Sequence, residues 1–293
     1  MSKELKFGFT LASPGSKQDL VDTVRAAEGY GYDIAVTVDH LGAGRTSPFQ
    51  GALAAAMVSD TMRVGTFVLN SGYWNPTMLA REVATIQRLT GGRFELGMGT
   101  GIIKAMYDAA GIPWQPYRKR LAWLESSVAK VRELIAAESG VDMPPLMLGG
   151  ASTRTVKLAA ENADIVSIAG IVQIPGQPPG ALRVLSGDET RKLAAEFREF
   201  AGARTPEFNA FVQDVVITDD RRGAAEAIAA EQGGMLSVEG ALDSPFLLLG
   251  TEEEIADQVV RAHEEYGFTS FYVQRPWMEK LGPAIKRVRA QLG

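Results

Sequence analysis

The chain contains no cysteine. Disulfides, thiolate nucleophiles, cysteine-bound zinc and iron–sulfur clusters are therefore excluded. Histidine is almost as scarce: 293 residues include only His40 and His263. No HxH or HExxH spacing offers a metal site. No stretch approaches the ~20 apolar residues of a membrane span. The opening MSKELKFGFTLASPG lacks the apolar core of a signal peptide, so the expected location is the cytoplasm. Lys and Arg form no long block, and the net charge is −5, which disfavours a nucleic-acid surface. There is no GxSxG elbow, and no lysine stands at a strand end for Schiff-base chemistry, Lys104 coming nearest. A phosphate-binding isomerase or aldolase thus lacks its base or lysine. By elimination, a bound cofactor supplies the reactivity.

What is present is a regular alternation of apolar and amphipathic runs. Strands are expected at Leu5–Leu11, Ile34–Val38, Arg63–Leu69, Phe94–Gly99, Leu146–Gly149, Asp164–Ile168, Phe208–Ile217 and Ser270–Gln274. Several are continuously apolar, as buried parallel strands require. Helix signals fill the gaps. Ser16 precedes Leu20, Val24 and Ala27 at helical spacing, Asn75-Pro76 supplies a cap and a first-turn proline, and Thr251 with Glu254 makes a capping pair ahead of Gly267. Eight strand–helix units in one domain spanning residues 1–293 predict an α/β (β/α)8 TIM barrel. Two stretches break the rhythm and are expected to be irregular insertions, about residues 170–187 and 233–249. The first follows strand six and reads as a substrate-pocket lid or as ornament.

In such a barrel the chemistry sits where strands end. Asp39-His40 follows strand two. His40 reads either as a proton-exchanging group or as a loop histidine against a carbonyl, with Asp39 orienting it or capping the loop. His263 lies among charged residues of a helix and reads as surface. Asn70 can bond a planar polar ring or open the turn that follows. Gly97, Gly99 and Gly101, with Thr100, permit close approach of a flat ligand or a bend at the rim. Gly149-Gly150-Ala151-Ser152 enters a helix, which suits a phosphate or a tight turn.

Together these positions resemble the luciferase-like superfamily of flavin- and F420-dependent enzymes, most closely its F420-dependent branch. The segments that carry the resemblance are DIAVTVDHL, MRVGTFVLNSGYWNPTMLAREVATIQRLTGGRFELGMGTG, PLMLGGASTRTVKLAAENADIVSIAG and SPFLLLGTEEEIADQVVRAHEEYGFTSFYV. The resemblance implies an oxidoreductase that transfers a hydride between the deazaflavin C5 of F420 and a small organic substrate. It implies His40 as the proton donor or acceptor and a non-proline cis peptide near Phe67-Val68 backing the ring. Asn70, Gly99, Thr100 and Gly101 then line the ring, with Asp39 beside His40. The cofactor phosphate falls at Gly149, Gly150 and Ala151, helped by Ala169 and Gly170. Two residues depart from the F420-dependent glucose-6-phosphate dehydrogenases: Ile102 stands where they have Glu, and Gly44 where they have Trp. Ile102, Ile103, Tyr73 and Trp74 instead suggest an apolar pocket for a less charged substrate. The rival readings are an FMN-dependent monooxygenase using O2 and a non-catalytic cofactor-binding protein. A homodimer through the second and third helices is expected, the alanine-rich Ala52–Val58 among them.

Overall fold

The computed structural model describes residues 5–150, 152–178 and 180–292. Eight parallel strands form the barrel: Lys6–Thr10, Ile34–Thr37, Arg63–Thr66, Phe94–Gly99, Leu146–Gly149, Ile165–Ile168, Glu207–Phe211 and Ser270–Gln274. Each pairs with the next, and pairing of the first with the eighth closes the ring. The chain is therefore a TIM barrel, with helices packed outside the strands.

Alternation along the strands divides the core in two. In the first strand Phe7 and Phe9 face the helices, while Gly8 faces inward. A Cβ on Gly8 would lie 2.6 Å from the ring of Tyr272, so the glycine is what lets that ring fill the barrel. Ile34, Val36, Met147 and Ile165 surround Tyr272, and Phe67, Val68 and Phe211 pack above them. A buried polar layer crosses the later strands: Ser167 Oγ donates to Asn209 Oδ1 at 2.7 Å, and Asn209 Nδ2 donates to Ser270 Oγ at 2.9 Å. At the N-terminal ends of the strands, Arg63 pairs with Glu95 at 2.7 Å and Lys6 with Glu207 at 2.8 Å. These pairs plug the bottom, leaving the C-terminal end as the place for a site.

The expected helix signals act as written. Ser16 Oγ accepts from Asp19 N, Asn75 Oδ1 accepts from Thr77 N, and Thr251 with Glu254 forms a reciprocal capping box. Gly31 and Gly267 end their helices in the left-handed region.

Four expectations need correction. Arg63–Leu69 is interrupted by the cis Phe67-Val68 bond and resumes as Leu69–Asn70. Phe208–Ile217 is two strands, because the chain leaves the barrel after Phe211. Asp214–Ile217 then pairs in parallel with Leu247–Gly250 in a separate small sheet. The stretch 233–249 accordingly holds that second strand and a helix, Val238–Asp243. Within 170–187, Ile171–Gln173 and Leu182–Val184 form an antiparallel hairpin. Gln173 clasps its turn, donating to the carbonyls of Ile174, Gln177 and Pro178 and accepting from Gly180 N at 2.9 Å. Proline and glycine content suggested irregularity, but one glutamine bonds four of the turn's backbone groups. Among the described residues, no helix is long and apolar enough to cross a membrane.

The hairpin is anchored by Arg183, which bonds Glu189 in the first turn of helix Gly187–Ala201 at 2.8 Å. That pairing, against a smaller opposing effect of burial, lowers the Glu189 pKa from its ordinary 4.5 to about 2. The stabilisation is therefore present above the ordinary glutamate range and lost as pH falls through about 2. Glu189→Gln is expected to cost about 1 kcal/mol near neutrality, solvent screening keeping the pair modest. Thermal unfolding across pH should show the gap between variant and wild type closing towards pH 2. A gap that does not change with pH would refute the charge-based anchor.

Candidate active site

The sequence-derived positions fall on one arc of the barrel mouth, formed by strands two to six in spatial order. They are linked by direct contacts. Asp39 Oδ2 accepts from Asn70 N at 3.0 Å, joining the ends of strands two and three. Asn70 pairs with Gly99 across to strand four. Gly149 pairs with Ser167 of strand six, and Gly150 N donates to Ser167 O at 3.1 Å.

The centre of the arc is Val68. Beyond the cis bond its side chain turns over strands four and five. A Cβ on Gly99 would meet Val68 Cγ2 at 2.8 Å, and one on Gly97 would meet Val68 Cγ1 at 3.0 Å. On Gly149 it would lie 3.6 Å from the same methyl. The glycines thus form a platform that a side chain would fill, and Val68 lies across it. Phe67 packs against Phe211 and Tyr272, with centroids at 4.8 and 5.3 Å. Both residues are only half-buried, so the mouth has a firm apolar floor that is still reachable.

Polar groups surround this floor. Asp39 is buried, and its Oδ2 accepts a second bond from Trp74 Nε1 at 2.9 Å. Burial raises its pKa, outweighing the two donors. The carboxylate thus braces the loop after strand three, and its hydrogen bonds run to Asn70 and Trp74. His40 stands exposed on the rim. With Ala12, Ser13, Thr37, Val38, Arg45 and Thr46 it lines a cavity of about 10 Å³, the scale of one water. Partial burial of the ring, then the Arg45 charge, lowers its pKa, which favours neutral imidazole near pH 7.

Asn70 Oδ1 accepts from Gly72 N at 3.2 Å, opening a 3-10 turn at Ser71–Tyr73, and from Tyr107 Oη at 2.5 Å. Thr100 O and Gly101 O both accept from Arg120. The guanidinium lies 3.7 Å from the Trp114 ring. At the start of helix Thr153–Asn162, the hydroxyls of Ser152, Thr155 and Tyr117 form a triangle of 2.7, 2.7 and 3.0 Å. Gly149 and Gly150 lead into it, and Ala151 lies outside the described residues. Ala169 O accepts from Gln213 at 2.6 Å. Gly170 sits beneath Phe246 at the hairpin root, where a Cβ would fall 2.6 Å from the ring.

Tyr107, Tyr117 and Arg120 were missed by the sequence reading, because no motif marks them; they come from helices Lys104–Ala109 and Tyr117–Ala136. Trp74 is tied into the same frame. Its ring meets Phe49 edge-on and its N–H bonds Asp39, so it braces the loop. His263 Nδ1 lies 2.6 Å from Phe268 O, a local bond at a helix end.

The sequence model of the luciferase-like monooxygenase family matches residues 6–233. Among curated proteins, the chain is 35% identical over 144 residues to the F420-dependent glucose-6-phosphate dehydrogenase of Gordonia bronchialis. That match covers 46% of this chain and 42% of the relative, so the chain spans less than half of the curated relatives it matches. Among solved structures, an F420-dependent secondary alcohol dehydrogenase in complex with an F420–acetone adduct superposes with a TM-score of 0.73 at 15% identity, covering 97% of this chain and 99% of that one. The oxygenating constituent of 3,6-diketocamphane monooxygenase of Pseudomonas putida, in complex with FMN, superposes with a TM-score of 0.70 at 15% identity, covering 98% of each. At these identities the structures show a shared fold.

Asp39→Ala would leave the buried Asn70 N–H and the half-buried Trp74 N–H without an acceptor and is expected to cost ~1–3 kcal/mol for the former and less for the latter. Asp39→Asn can offer an amide oxygen to both and removes a charge that burial disfavours. Thermal unfolding at pH 7 should therefore place Asn at or above wild type and Ala well below. The advantage of Asn should grow as pH rises through the carboxylate range, because a raised folded pKa makes ionised Asp39 the less stable form. An Ala variant as stable as wild type would remove Asp39 from this role.

Proposed function

Since the chain belongs to the luciferase-like monooxygenase family, we propose that it is an F420-dependent oxidoreductase acting on a small organic substrate at the mouth just described. The observation that carries this reading is the Val68 platform. By strand order its apolar floor has the glycine segment of strand four on one side and the end of strand two, which leads to His40, on the other. These residues suit a planar tricyclic ring: Val68 would back one face, and Gly99, Thr100 and Gly101 would run along its edge. Gly149, Gly150 and the hydroxyls at the following helix start suit a phosphate tether. F420, when bound, supplies a ring carbon, C5, that exchanges a hydride with a substrate carbon.

The protein's own residues position and move a proton. Neutral His40 accepts a proton when substrate is oxidised and returns one when it is reduced. The barrel floor excludes water from below, and the Arg183-anchored hairpin stands beside the mouth. The F420-dependent names of the curated relatives support the cofactor assignment. The substrate is read as less charged than a sugar phosphate, because Ile102, half exposed at the end of the glycine segment, offers no carboxylate there. The proposal extends to a cytoplasmic homodimer. Met57 and Met78 are exposed on helices Pro48–Val58 and Pro76–Leu89, while Ala52, Ala55 and Ala56 serve the protein's own core.

Fluorescence titration with F420 and with FMN tests the cofactor. Saturable F420 binding is expected, whereas tight FMN binding with O2 consumption would overturn the assignment. His40→Ala should lower turnover by ~10²-fold and spare F420 binding. Substrate oxidation should lose rate as pH falls below the ordinary imidazole range and stay level above it, since the lowered pKa keeps the base form available. Unchanged turnover in the variant would remove His40 from the reaction.

A further inference from the structure

We propose that Tyr107 is a positioning residue that sets the orientation of the Asn70 amide, so that Nδ2 is presented to a hydrogen-bond acceptor on the bound ring. This rests on the reading of the mouth as a cofactor site. It adds a residue that neither motif nor resemblance identified, and it names the chemistry of the group recognised: a carbonyl oxygen or an unprotonated ring nitrogen.

The amide turns its oxygen towards the protein. Asn70 Oδ1 lies 3.2 Å from Gly72 N. A backbone N–H can only donate, so the amide atom that meets it must be the oxygen. Tyr107 Oη reaches the same oxygen at 2.5 Å. Burial raises the phenol's pKa, so it stays protonated and is itself a donor. Both lone pairs of Oδ1 are then engaged inside the protein; one N–H of Nδ2 can serve the neighbouring Tyr73 hydroxyl, and the valence left on this side chain is the other N–H.

Tyr107 is held firmly enough to impose this. It is buried, with its ring 5.0 Å from Tyr73 and 4.8 Å from Trp114. Arg120 stacks on Trp114 and bonds the carbonyls of Thr100, Gly101 and Gln115. The same cluster therefore fixes both the amide and the glycine segment it faces. The amide packs against Gly101, where φ is +72° and a Cβ would lie 2.5 Å from Nδ2 and 2.6 Å from Oδ1. Without Tyr107 the amide oxygen keeps only the longer Gly72 bond, a weaker hold on the amide plane.

The test is a thermodynamic cycle on F420 affinity, read by fluorescence titration of the intact protein. Asn70→Ala should weaken binding by about tenfold, the scale of one lost hydrogen bond. Tyr107→Phe should weaken it several-fold in the wild-type background and leave it unchanged in the Asn70→Ala background, because the tyrosine acts through the amide. Equal weakening in both backgrounds would mean that Tyr107 serves the fold alone and would overturn the proposal. Asn70→Asp, which keeps an oxygen for Gly72 and Tyr107 but removes the N–H groups, guards against a misfolded double variant. It should bind F420 at least as weakly as Asn70→Ala, and wild-type affinity in it would also overturn the proposal. Wild-type protein that binds neither F420 nor FMN would instead overturn the functional reading, taking this assignment with it.

Discussion

The mouth of this barrel depends on one steric condition: Val68 can lie across strand four only because Gly99 carries no side chain beneath it, and Gly97 leaves the same room for Thr66 O. A methyl on Gly99 would overlap Val68 Cγ2 and one on Gly97 would overlap Thr66 O, so the third strand would have to shift. Much else follows from that seat. Phe67 turns down onto Tyr272 and Phe211 and closes the barrel from above. Leu69 and Asn70 resume pairing with Met98 and Gly99. That brings the Asn70 amide to the glycine segment and its backbone N–H to Asp39.

A polar frame then holds the seat from outside. Asp39 ties strand two to strand three and to Trp74. Tyr107 and Arg120, from the segments after strand four, tie the glycine segment to Asn70 and to the helix behind it. Trp123 adds a bond to Ser71 O at 2.9 Å. These bonds are buried or half-buried, where losing a partner costs most, so the frame resists movement. His40 stands outside it, exposed on the rim beside Arg45. The groups that shape the floor are locked, and the group proposed to move protons remains near solvent.

The departures from barrel rhythm also serve the mouth. The hairpin after strand six and the second strand after strand seven both leave at C-terminal strand ends, where loops can vary without disturbing the ring. Phe246 fills the space above Gly170 and so joins the small sheet's segment to the hairpin root. Gln213 bridges the ends of strands six and seven through Ala169 O and Phe211 O. The segments that looked irregular are thereby fastened to the barrel and to each other.

The barrel was legible in the sequence because buried parallel strands demand apolar runs and helices announce their ends. Ser16, Asn75, Thr251 and Gly267 act through neighbours within a few residues, so local spacing suffices to read them. The arc of Asp39, Asn70, Gly99 and Gly149 followed from strand order alone, once every strand was taken to end on the same face. The split of Phe208–Ile217 was not legible, because an apolar run does not say which sheet it joins. That was decided by a partner strand, Leu247–Gly250, thirty residues on. Tyr107 and Arg120 were hidden for the same reason. Their partners are carbonyls and an amide brought near only by folding, and a tyrosine's type does not reveal which acceptor it will meet. Sequence by itself determined the elements and their order, since those rest on periodicity and short-range bonds. Tertiary structure decided which polar atoms are used up within the protein and which are left for a ligand, since that depends on distances the chain acquires only when the barrel closes.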